Sequence, residues 1–341
     1  MHHYFVGLDV HKQTIAFCIK TADGTIVREG TIKTRREDLD GWLKTIPGPW
    51  VCGMETTLFS HWIYHHLRQR GADVQMGHAA RMKAICAGKK KSDKIDARTI
   101  ADLLRCNMFP TCYVIDPALG ALRRQMRFRR SVVNEQTRFK NSTAGMLMEA
   151  GVEYEGRRLH GKRYFQTLMR ANPWVSAELR PLLNFNRQQI ETLERMDKGL
   201  LKLLKTHPQL CRRVEALMKI DGVGPVTALT WALEIGTPER FRSIKNAQSY
   251  AGLTSAFRES AGKQQRGPIS KQRNAHLQSA IIEAAKLAPT HNEKLKAVYQ
   301  KHRAAGADDN VASLEVARKL VAYLLAADRA LLAPPETAAR A

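Results

Sequence analysis

Two short apolar runs in the first third of the chain each lead into an acidic residue. Residues 4–8 are followed by Asp9, and residues 50–54 are followed by Glu55. β-Branched and aromatic residues between turn signals favour short buried strands. A carboxylate at the end of a buried strand is costly unless something binds it. The pattern therefore predicts two strands whose terminal acids share a binding partner.

A second pair of acids lies three residues apart in a helical pattern. Asp93 and Asp96 follow Ser92, a suitable N-cap for a helix over residues 92–104. Together with Asp9 and Glu55 they could converge on a divalent cation. Hard oxygen ligands of this kind suit Mg²⁺ in phosphoryl-transfer chemistry. Taken singly, these acids also fit turn caps and helix caps.

The charge of the chain indicates a polyanionic partner. Lys and Arg number 55 against 32 Asp and Glu, a net charge of +23. Phosphate contacts dominate nucleic-acid affinity, so DNA and RNA are the expected partners. An uninterrupted apolar run of membrane-spanning length is missing from the sequence, and residues 1–4 do not resemble a signal peptide, so no membrane role is expected. The six cysteines lack CxxC spacing, which favours a reduced, cytoplasmic protein. When it acts on DNA, such a protein is expected to be associated with the nucleoid.

Residues 1–105 have the pattern of an α/β domain. Asp23 and Gly24 form a strong hairpin signal between two strand-like runs, and strands then alternate with helices. A hairpin-led sheet followed by this alternation predicts a mixed sheet of the RNase H-like kind. Lys89, Lys90, Lys91 and Arg98 are candidate nucleic-acid contacts, although the lysine run also fits a solvated loop.

Residues 106–213 predict a long, basic and helical connector. One cluster of cations suits a helix along a phosphate backbone, and the second is interleaved with aromatic residues that could stack on bases. The candidate contacts are Arg123, Arg124, Arg127, Arg130, Arg157, Arg158, Lys162 and Arg163. Farther on, Leu183, Ile190, Leu193, Leu200 and Leu204 fall near heptad spacing. That spacing supports a coiled-coil arm for self-association, or packing against the same chain.

Residues 214–332 predict a second globular unit, mainly α-helical, with a frayed tail at 333–341. Gly222 and Gly224 lie in a turn between helical segments, a helix–hairpin–helix signature in which backbone N–H groups can face a DNA phosphate. The polar stretch 255–271 is predicted to be a loop. Its Lys263, Arg266 and Lys271 are further candidate nucleic-acid contacts.

With these motifs in hand, the chain resembles transposases of the insertion-sequence one-ten family, which are DEDD-type, bridge-RNA-guided recombinases. The similarity lies first in the acidic segments at 7–10, 54–57 and 92–97. It continues at residues 157–165 and in three short C-terminal motifs. Those motifs are residues 220–225, 251–254 and 266–271. Each motif is short, but their order along almost the whole chain is specific.

The resemblance implies roles for particular residues. Asp9, Glu55, Asp93 and Asp96 would bind Mg²⁺ in a RuvC-like domain, and Ser260 would be a nucleophile that forms a covalent phosphoserine–DNA intermediate. The family pattern has glycine after this serine, where this chain has Ala261, so Ser255 and Ser270 remain alternatives. The resemblance also implies donor and target DNA, a structured noncoding bridge RNA, and a homo-tetramer that completes the active site between protomers.

Two other functions use parts of the same pattern. A hydrolytic RuvC-like nuclease, such as a junction resolvase, needs the four acids but employs water instead of Ser260. A nucleic-acid-binding protein with a degenerate site needs only the basic surface, and the presence of all four acids argues against it. A covalent protein–DNA species would distinguish the recombinase from both.

Overall fold

A computed structural model describes residues 3–85, 92–260 and 263–332, without the side chains of 256–266 and 332. The chain divides into two compact units, unit 1 at Met1–Pro117 and unit 2 at Ala118–Ala341. The division into three domains and a tail at 105, 213 and 332 stays a prediction. The lysine run 89–91 and the tail 333–341 lie outside the described residues.

Unit 1 contains a five-stranded mixed sheet. Its strands are β1 Tyr4–Val10, β2 Thr14–Thr21, β3 Ile26–Lys33, β4 Trp50–Glu55 and β5 Asp73–Gly77. The order across the sheet is β3-β2-β1-β4-β5. The first three strands are antiparallel, whereas β4 runs parallel to both β1 and β5. The mixed α/β sheet predicted from the sequence is therefore confirmed.

Helices cover both faces of this sheet. They are α1 Arg36–Leu43, α2 Ser60–Gln69, α3 Ala79–Ile85 and α4 Asp93–Arg105. Alternate residues of a strand point to opposite faces. In β1, Val6 and Leu8 belong to the core that contains α1 and α2, whereas Phe5 packs in the cluster that contains α4. Asp9 has the parity of Phe5, which places it on the α4 side.

Unit 2 is mainly helical, as predicted. Its helices are α5 Pro117–Glu149 (which begins at the last residue of unit 1), α6 Lys162–Ala171, α7 Leu179–Lys205, α8 Cys211–Met218, α9 Pro225–Ile235, α10 Ile244–Tyr250, α11 Ala275–Leu287, α12 Glu293–Ala304 and α13 Asp309–Leu332. The largest core cluster surrounds Trp231 of α9, which is fully buried. Burial of apolar side chains from eight of these helices fixes their arrangement.

The long helices α5 and α7 pack against each other within the chain. Arg129 pairs with Asp197 at 2.7 Å, and Lys140 pairs with Glu194 at 3.2 Å. Ile190, part of the heptad-like pattern, is fully buried in the chain itself. This contact accounts for the apolar stripe of α7 as intramolecular packing. Self-association through the arm stays a prediction.

The loop predicted at 255–271 is wrong for most of its length. Residues Ser255–Ser260 form β6 and Lys263–Ile269 form β7, an antiparallel two-stranded sheet. The stretch is rich in polar residues and contains Gly267 and Pro268, so its side chains do not alternate between apolar and polar. A ladder of backbone hydrogen bonds does not require that alternation, and sequence periodicity therefore misses it.

In the described part of the chain, none of the helices has the length and apolar character to span a membrane.

Candidate active site

The ends of two parallel strands place Asp9 beside Glu55. The last paired residues of β1 and β4 are Leu8 and Met54, and each acid follows its strand's member of that pair. Neighbouring strands lie about 4.8 Å apart, so the two acids lie next to each other at the carboxyl ends of β1 and β4. The strand register is the one that the two apolar runs predict, while a shared binding partner for Asp9 and Glu55 stays a prediction.

Gly7 brings helix α4 onto β1. A Cβ atom at Gly7 would lie 1.9 Å from the Ala97 carbonyl oxygen and 2.6 Å from the Ala101 amide nitrogen. Both obstacles are backbone atoms of α4, so any larger residue would force the helix away from the sheet. The glycine therefore allows a helix–strand approach that carries the first turn of α4 towards Asp9.

The first turn of α4 holds the second pair of acids. Ser92 has extended backbone angles, and its Oγ accepts a hydrogen bond from the Ile95 amide at 3.3 Å, which confirms the predicted N-cap. Asp93 and Asp96 both lie in this turn, where the helix dipole favours negative charge. The local sequence thus fixes both the start of the helix and its acidic end.

Asp9, His11 and Asp93 form a group whose ligand atoms all lie within 4.8 Å of one another. His11 Nε2 is 3.1 Å from Asp9 Oδ2 and 3.6 Å from Asp93 Oδ1. Asp9 is largely buried, whereas His11 and Asp93 are exposed. Two carboxylates and an imidazole in this arrangement are able to hold a divalent ion.

The pKa of Asp9 is set first by burial and then by its charged neighbours. Burial raises the pKa of Asp9, the hydrogen bond and charge of His11 oppose that rise, and the nearby Asp96 and Asp93 carboxylates raise it further. A carboxylate surrounded by like charges is destabilised in its ionised form unless a cation arrives. This environment is suited to a bound metal ion.

The four predicted acids are not equally close in the described structure. Asp93 shares the three-residue group with Asp9, while Asp96 acts on Asp9 through its charge. Glu55 is half-buried at the end of β4. His11 was not predicted, although its position two residues after Asp9 was available as a signal. Residues two apart in an extended chain point to the same side.

The three candidate serines occupy different places on the β6–β7 hairpin. Ser260 is the last residue of β6 and pairs with Lys263, the first residue of β7, whereas Ser255 begins β6 and pairs with Ile269. Ser270 follows β7, and its Oγ accepts a hydrogen bond from the Gln272 amide at 3.2 Å. Ser260 is thus at the tip of the hairpin and the other two are at its base. The side chains of Ser260, Lys263 and Arg266 are outside the described part.

Several predicted nucleic-acid contacts are engaged within the protein. Arg98 donates two hydrogen bonds to Glu29, each 2.7 Å long. Arg127 donates two to Glu234, at 2.7 and 2.6 Å, and Arg130 donates to Ser279 Oγ at 2.8 Å. These contacts give the three arginines a structural role whether or not they also meet a phosphate.

The remaining candidates are mostly at the surface. Arg158 stacks over the Tyr164 ring at 4.9 Å, and Arg123 is half-buried. The exposed ones among the described side chains are Arg124, Arg157, Arg158, Lys162, Arg163 and Lys271. Their contacts with nucleic acid stay predictions. Lys89, Lys90 and Lys91 lie outside the described residues.

The two glycines of the predicted helix–hairpin–helix lie between α8 and α9. Gly222 has φ +91°, and a Cβ there would meet the Ala288 backbone at 2.8 Å. Gly224 precedes Pro225, the first residue of α9. The turn predicted from the sequence is therefore present, while contact with DNA there stays a prediction.

Comparison with protein families finds two matches. A model of DEDD-type transposases, described as "Transposase", matches residues 6–151. A second model, "Transposase IS116/IS110/IS902 family", matches residues 214–300. The first match includes every predicted metal ligand, and the second includes the β6–β7 hairpin.

Similar curated proteins carry related descriptions. A "Probable family 20 transposase" of Pseudomonas aeruginosa is 24% identical over 284 residues, which cover 82% of both chains. A "Putative transposase y4qE" of Sinorhizobium fredii is 24% identical over 287 residues, 82% of this chain and 70% of the relative. The "Transposase for insertion sequence element IS1533" of Leptospira borgpetersenii is 22% identical over 254 residues, 72% of each chain.

Proposed function

We propose that this chain, which belongs to the IS110 family of transposases, exchanges DNA strands through a metal-dependent acidic site and a serine nucleophile. As a transposase it is an enzyme that acts on DNA. The observation that carries the proposal is the meeting of Asp9, His11 and Asp93 at the end of β1. This group provides oxygen and nitrogen ligands within reach of one ion.

The fold supports the metal site. The order β3-β2-β1-β4-β5, with acids at the ends of β1 and β4, agrees with an RNase H-like domain of the RuvC kind. Asp9, Glu55, Asp93 and Asp96 would hold Mg²⁺, and His11 is an additional ligand candidate. Bound Mg²⁺ would neutralise charge on the scissile phosphate. The pKa of Asp9 is raised mainly by burial and further by the Asp96 and Asp93 carboxylates, and a bound cation would stabilise its ionised form.

In the proposed reaction, Ser260 Oγ attacks the phosphorus of one DNA strand. The new bond joins Oγ to phosphorus, the bond from phosphorus to one DNA oxygen breaks, and the serine proton passes to the departing hydroxyl. A hydroxyl of another strand then attacks the phosphoserine and releases Ser260. The number of phosphodiester bonds is unchanged, so the exchange requires no ATP.

Specificity is proposed to come from a structured noncoding bridge RNA. The exposed cations Arg124, Arg157, Lys162 and Arg163 support RNA or DNA binding through phosphate contacts. A homo-tetramer is proposed as the active assembly. Sequencing of RNA that co-purifies with the protein, and light scattering of the complex, test these two statements. Protein without a specific RNA, or a monomeric active complex, would contradict them.

The nucleophile is tested with a nicked suicide DNA substrate. Wild-type protein is expected to give an adduct that survives a denaturing gel and maps by peptide mass to Ser260. The Ser260→Ala variant should give no adduct yet bind DNA normally, because the hydroxyl contributes little to affinity. Ser255→Ala and Ser270→Ala are matched controls at the hairpin base and should retain the adduct.

The outcomes separate the alternatives. If the adduct is lost in Ser255→Ala or Ser270→Ala but retained in Ser260→Ala, the serine mechanism would stand. The nucleophile would then be Ser255 or Ser270. Mg²⁺-dependent cleavage without any adduct in wild-type protein would instead identify water as the nucleophile. The chain would then act as a hydrolytic nuclease.

A further inference from the structure

The hairpin that carries Ser260 is a two-stranded sheet, and its orientation depends on its base. A single hairpin is marginally stable by itself. We define the hairpin base as residues 250–254, which lead into β6, and residues 270–274, which leave β7. What holds these ten residues determines the direction in which the strands project.

In the first half of the hairpin base, residues 250–254, four backbone carbonyls each accept a hydrogen bond. Two bonds come from the chain's own backbone, from the Asn274 amide to Tyr250 O at 2.9 Å and from the Ser270 amide to Thr254 O at 3.1 Å. The other two come from side chains outside the base. Gln278 Nε2 of α11 donates to Gly252 O at 2.6 Å, and Arg318 Nε of α13 donates to Leu253 O at 2.8 Å.

Gly252 makes the Gln278 contact possible. Its φ is +71°, and a Cβ there would lie 2.5 Å from Arg273 Cβ and 2.9 Å from Gln278 Nε2. The Gly252 amide donates to Ser249 O and the Leu253 amide to Gln248 O, each at 2.9 Å, which ends helix α10. These are the bonds of a glycine-terminated helix. Gly252 therefore both ends α10 and allows Gln278 of α11 to donate its hydrogen bond to the Gly252 carbonyl.

The length of the hairpin makes the position of Ser260 sensitive to small rotations at the hairpin base. Ser255 to Ser260 spans five steps of about 3.3 Å, or roughly 17 Å. A swing of about 10° at the base would then displace the tip by roughly 3 Å. Productive catalytic geometry requires placement within about 0.5 Å, and an error of about 1 Å can cost a hundredfold in rate. The base must therefore be held to a few degrees.

We propose that Gln278 and Arg318 are positioning residues that hold the serine-bearing hairpin in the direction required for attack. This inference rests on the proposed function, since it assumes that Ser260 is the nucleophile. Leu253 is fully buried beside the Arg318 contact, so α13 fixes the chain one residue after α11 does. Two side chains on different helices restrain both rotation and tilt at the base.

The test compares Gln278→Met with Gln248→Met in the full-length protein bound to its RNA. Methionine keeps the side-chain length but removes the amide donor. Gln248 is a matched control, because its Nε2 donates to the Arg318 carbonyl at 3.0 Å without touching a carbonyl of the base. Single-turnover adduct formation is measured at saturating suicide DNA, together with the DNA Kd and the Tm.

For Gln278→Met we expect a fall in the adduct rate of about tenfold or more, with the DNA Kd changed less than about twofold. Gln248→Met should change the rate by less than about twofold, although it loses a bond of the same type. Arg318→Lys, which keeps a donor, should react faster than Arg318→Met. Hydrogen exchange of the β6–β7 amides should be faster in Gln278→Met than in Gln248→Met.

Equal rates for Gln278→Met and wild-type protein would overturn the inference and leave the serine mechanism intact. Parallel falls in rate and Tm in Gln278→Met and Gln248→Met would also overturn it, because general destabilisation would explain them. Wild-type protein that forms no adduct at all would contradict the proposed function itself.

Discussion

Asp9 in unit 1 and Glu234 in unit 2 are both acids removed from solvent, but their surroundings differ. Glu234 is almost completely buried and accepts hydrogen bonds from Arg127 and from Asn274 Nδ2, the latter at 2.8 Å. Asp9 is less buried, contacts the His11 ring, and faces the carboxylates of Asp93 and Asp96. One acid has cationic and amide partners, whereas the other lies among acids.

The two pKa shifts run in opposite directions. Burial opposes ionisation of Glu234, but the hydrogen bonds of Arg127 and Asn274 outweigh it and hold the pKa of Glu234 below its ordinary value. Burial raises the pKa of Asp9, and the hydrogen bond of His11 only partly offsets this. The direction of a buried carboxylate's pKa shift thus depends on its partners more than on the extent of its burial. With cationic partners the carboxylate stabilises the fold, and among other acids it favours binding of a cation.

The largest expected effect comes from removing the charge of Asp9. Asp9→Asn should lower Mg²⁺-dependent strand cleavage by about a thousandfold, because a metal ion supplies several kcal/mol of transition-state stabilisation. DNA affinity should change less than about twofold, since phosphate contacts come from Lys and Arg. Cleavage kinetics and filter binding measure the two quantities. Wild-type cleavage by this variant would remove Asp9 from the metal site.

Breaking the pair around Glu234 should instead affect stability. Arg127→Met is expected to lower the free energy of unfolding by about 2 kcal/mol, because it leaves a buried carboxylate without its cation. The value is below the usual cost for a buried pair, since the Arg127 side chain is 40% exposed and partly screened by solvent. Urea unfolding provides the measurement.

Two variants control that result. Arg124→Met, on the exposed face of the same helix, should change the free energy of unfolding by less than about 0.5 kcal/mol. Arg127→Met combined with Glu234→Met should be more stable than Arg127→Met alone, because no buried charge remains uncompensated. A stable Arg127→Met protein would mean that the Glu234 pair is not structural.

The pH dependence of stability should show the sign of the Glu234 shift. A folded-state pKa below the unfolded value contributes stability that is complete above the unfolded pKa and is lost as the pH falls through the folded pKa. The stability difference between wild type and Glu234→Gln should be constant above about pH 5 and shrink below about pH 4.3. Urea titrations from neutral to acid pH measure it. A difference that grows on acidification would reverse the assigned direction.

The smallest expected effect concerns the basic surface. Arg124→Gln should reduce the salt dependence of RNA binding by roughly one slope unit while leaving the fold intact. Arg127→Gln, whose guanidinium already pairs with Glu234, should change the slope less and the stability more. Binding measured across a salt series separates them. Equal slopes for wild type and Arg124→Gln would move the nucleic-acid contact elsewhere.

Local signals account for what the sequence predicts well. The acids at the ends of β1 and β4, the Ser92 cap and the turn at Gly222 all follow from patterns a few residues long. Such patterns determine element type and ends because hydrophobic alternation and capping act over one or two turns. The strand-end acids and the acidic start of α4 can therefore be predicted from the sequence without knowledge of the tertiary packing.

Partners distant in sequence account for what it misses. Arg127 pairs with Glu234, which is 107 positions away in the sequence, and the local sequence around either residue does not indicate the pairing. The β6–β7 hairpin is a backbone ladder in a polar segment, which hydrophobic patterning cannot detect. His11 joins the acidic group only because the fold brings Asp93 to the same point, and a lone histidine in the sequence does not indicate such a contact. These features arise from tertiary arrangement and not from local propensity.

The contact of Gly7 with the backbone of α4 has a consequence for protein synthesis. The chain is made from the N-terminus, so β1 leaves the ribosome about 85 residues before α4 does. The acids of β1 and β4 are thus present while Asp93 and Asp96 are still missing, so the proposed metal site is incomplete in the nascent protein. Asp93 can reach Asp9 only when α4 packs against the backbone at Gly7. A nascent chain that ends before α4 therefore lacks Asp93 and Asp96, two of the four acids predicted to bind metal.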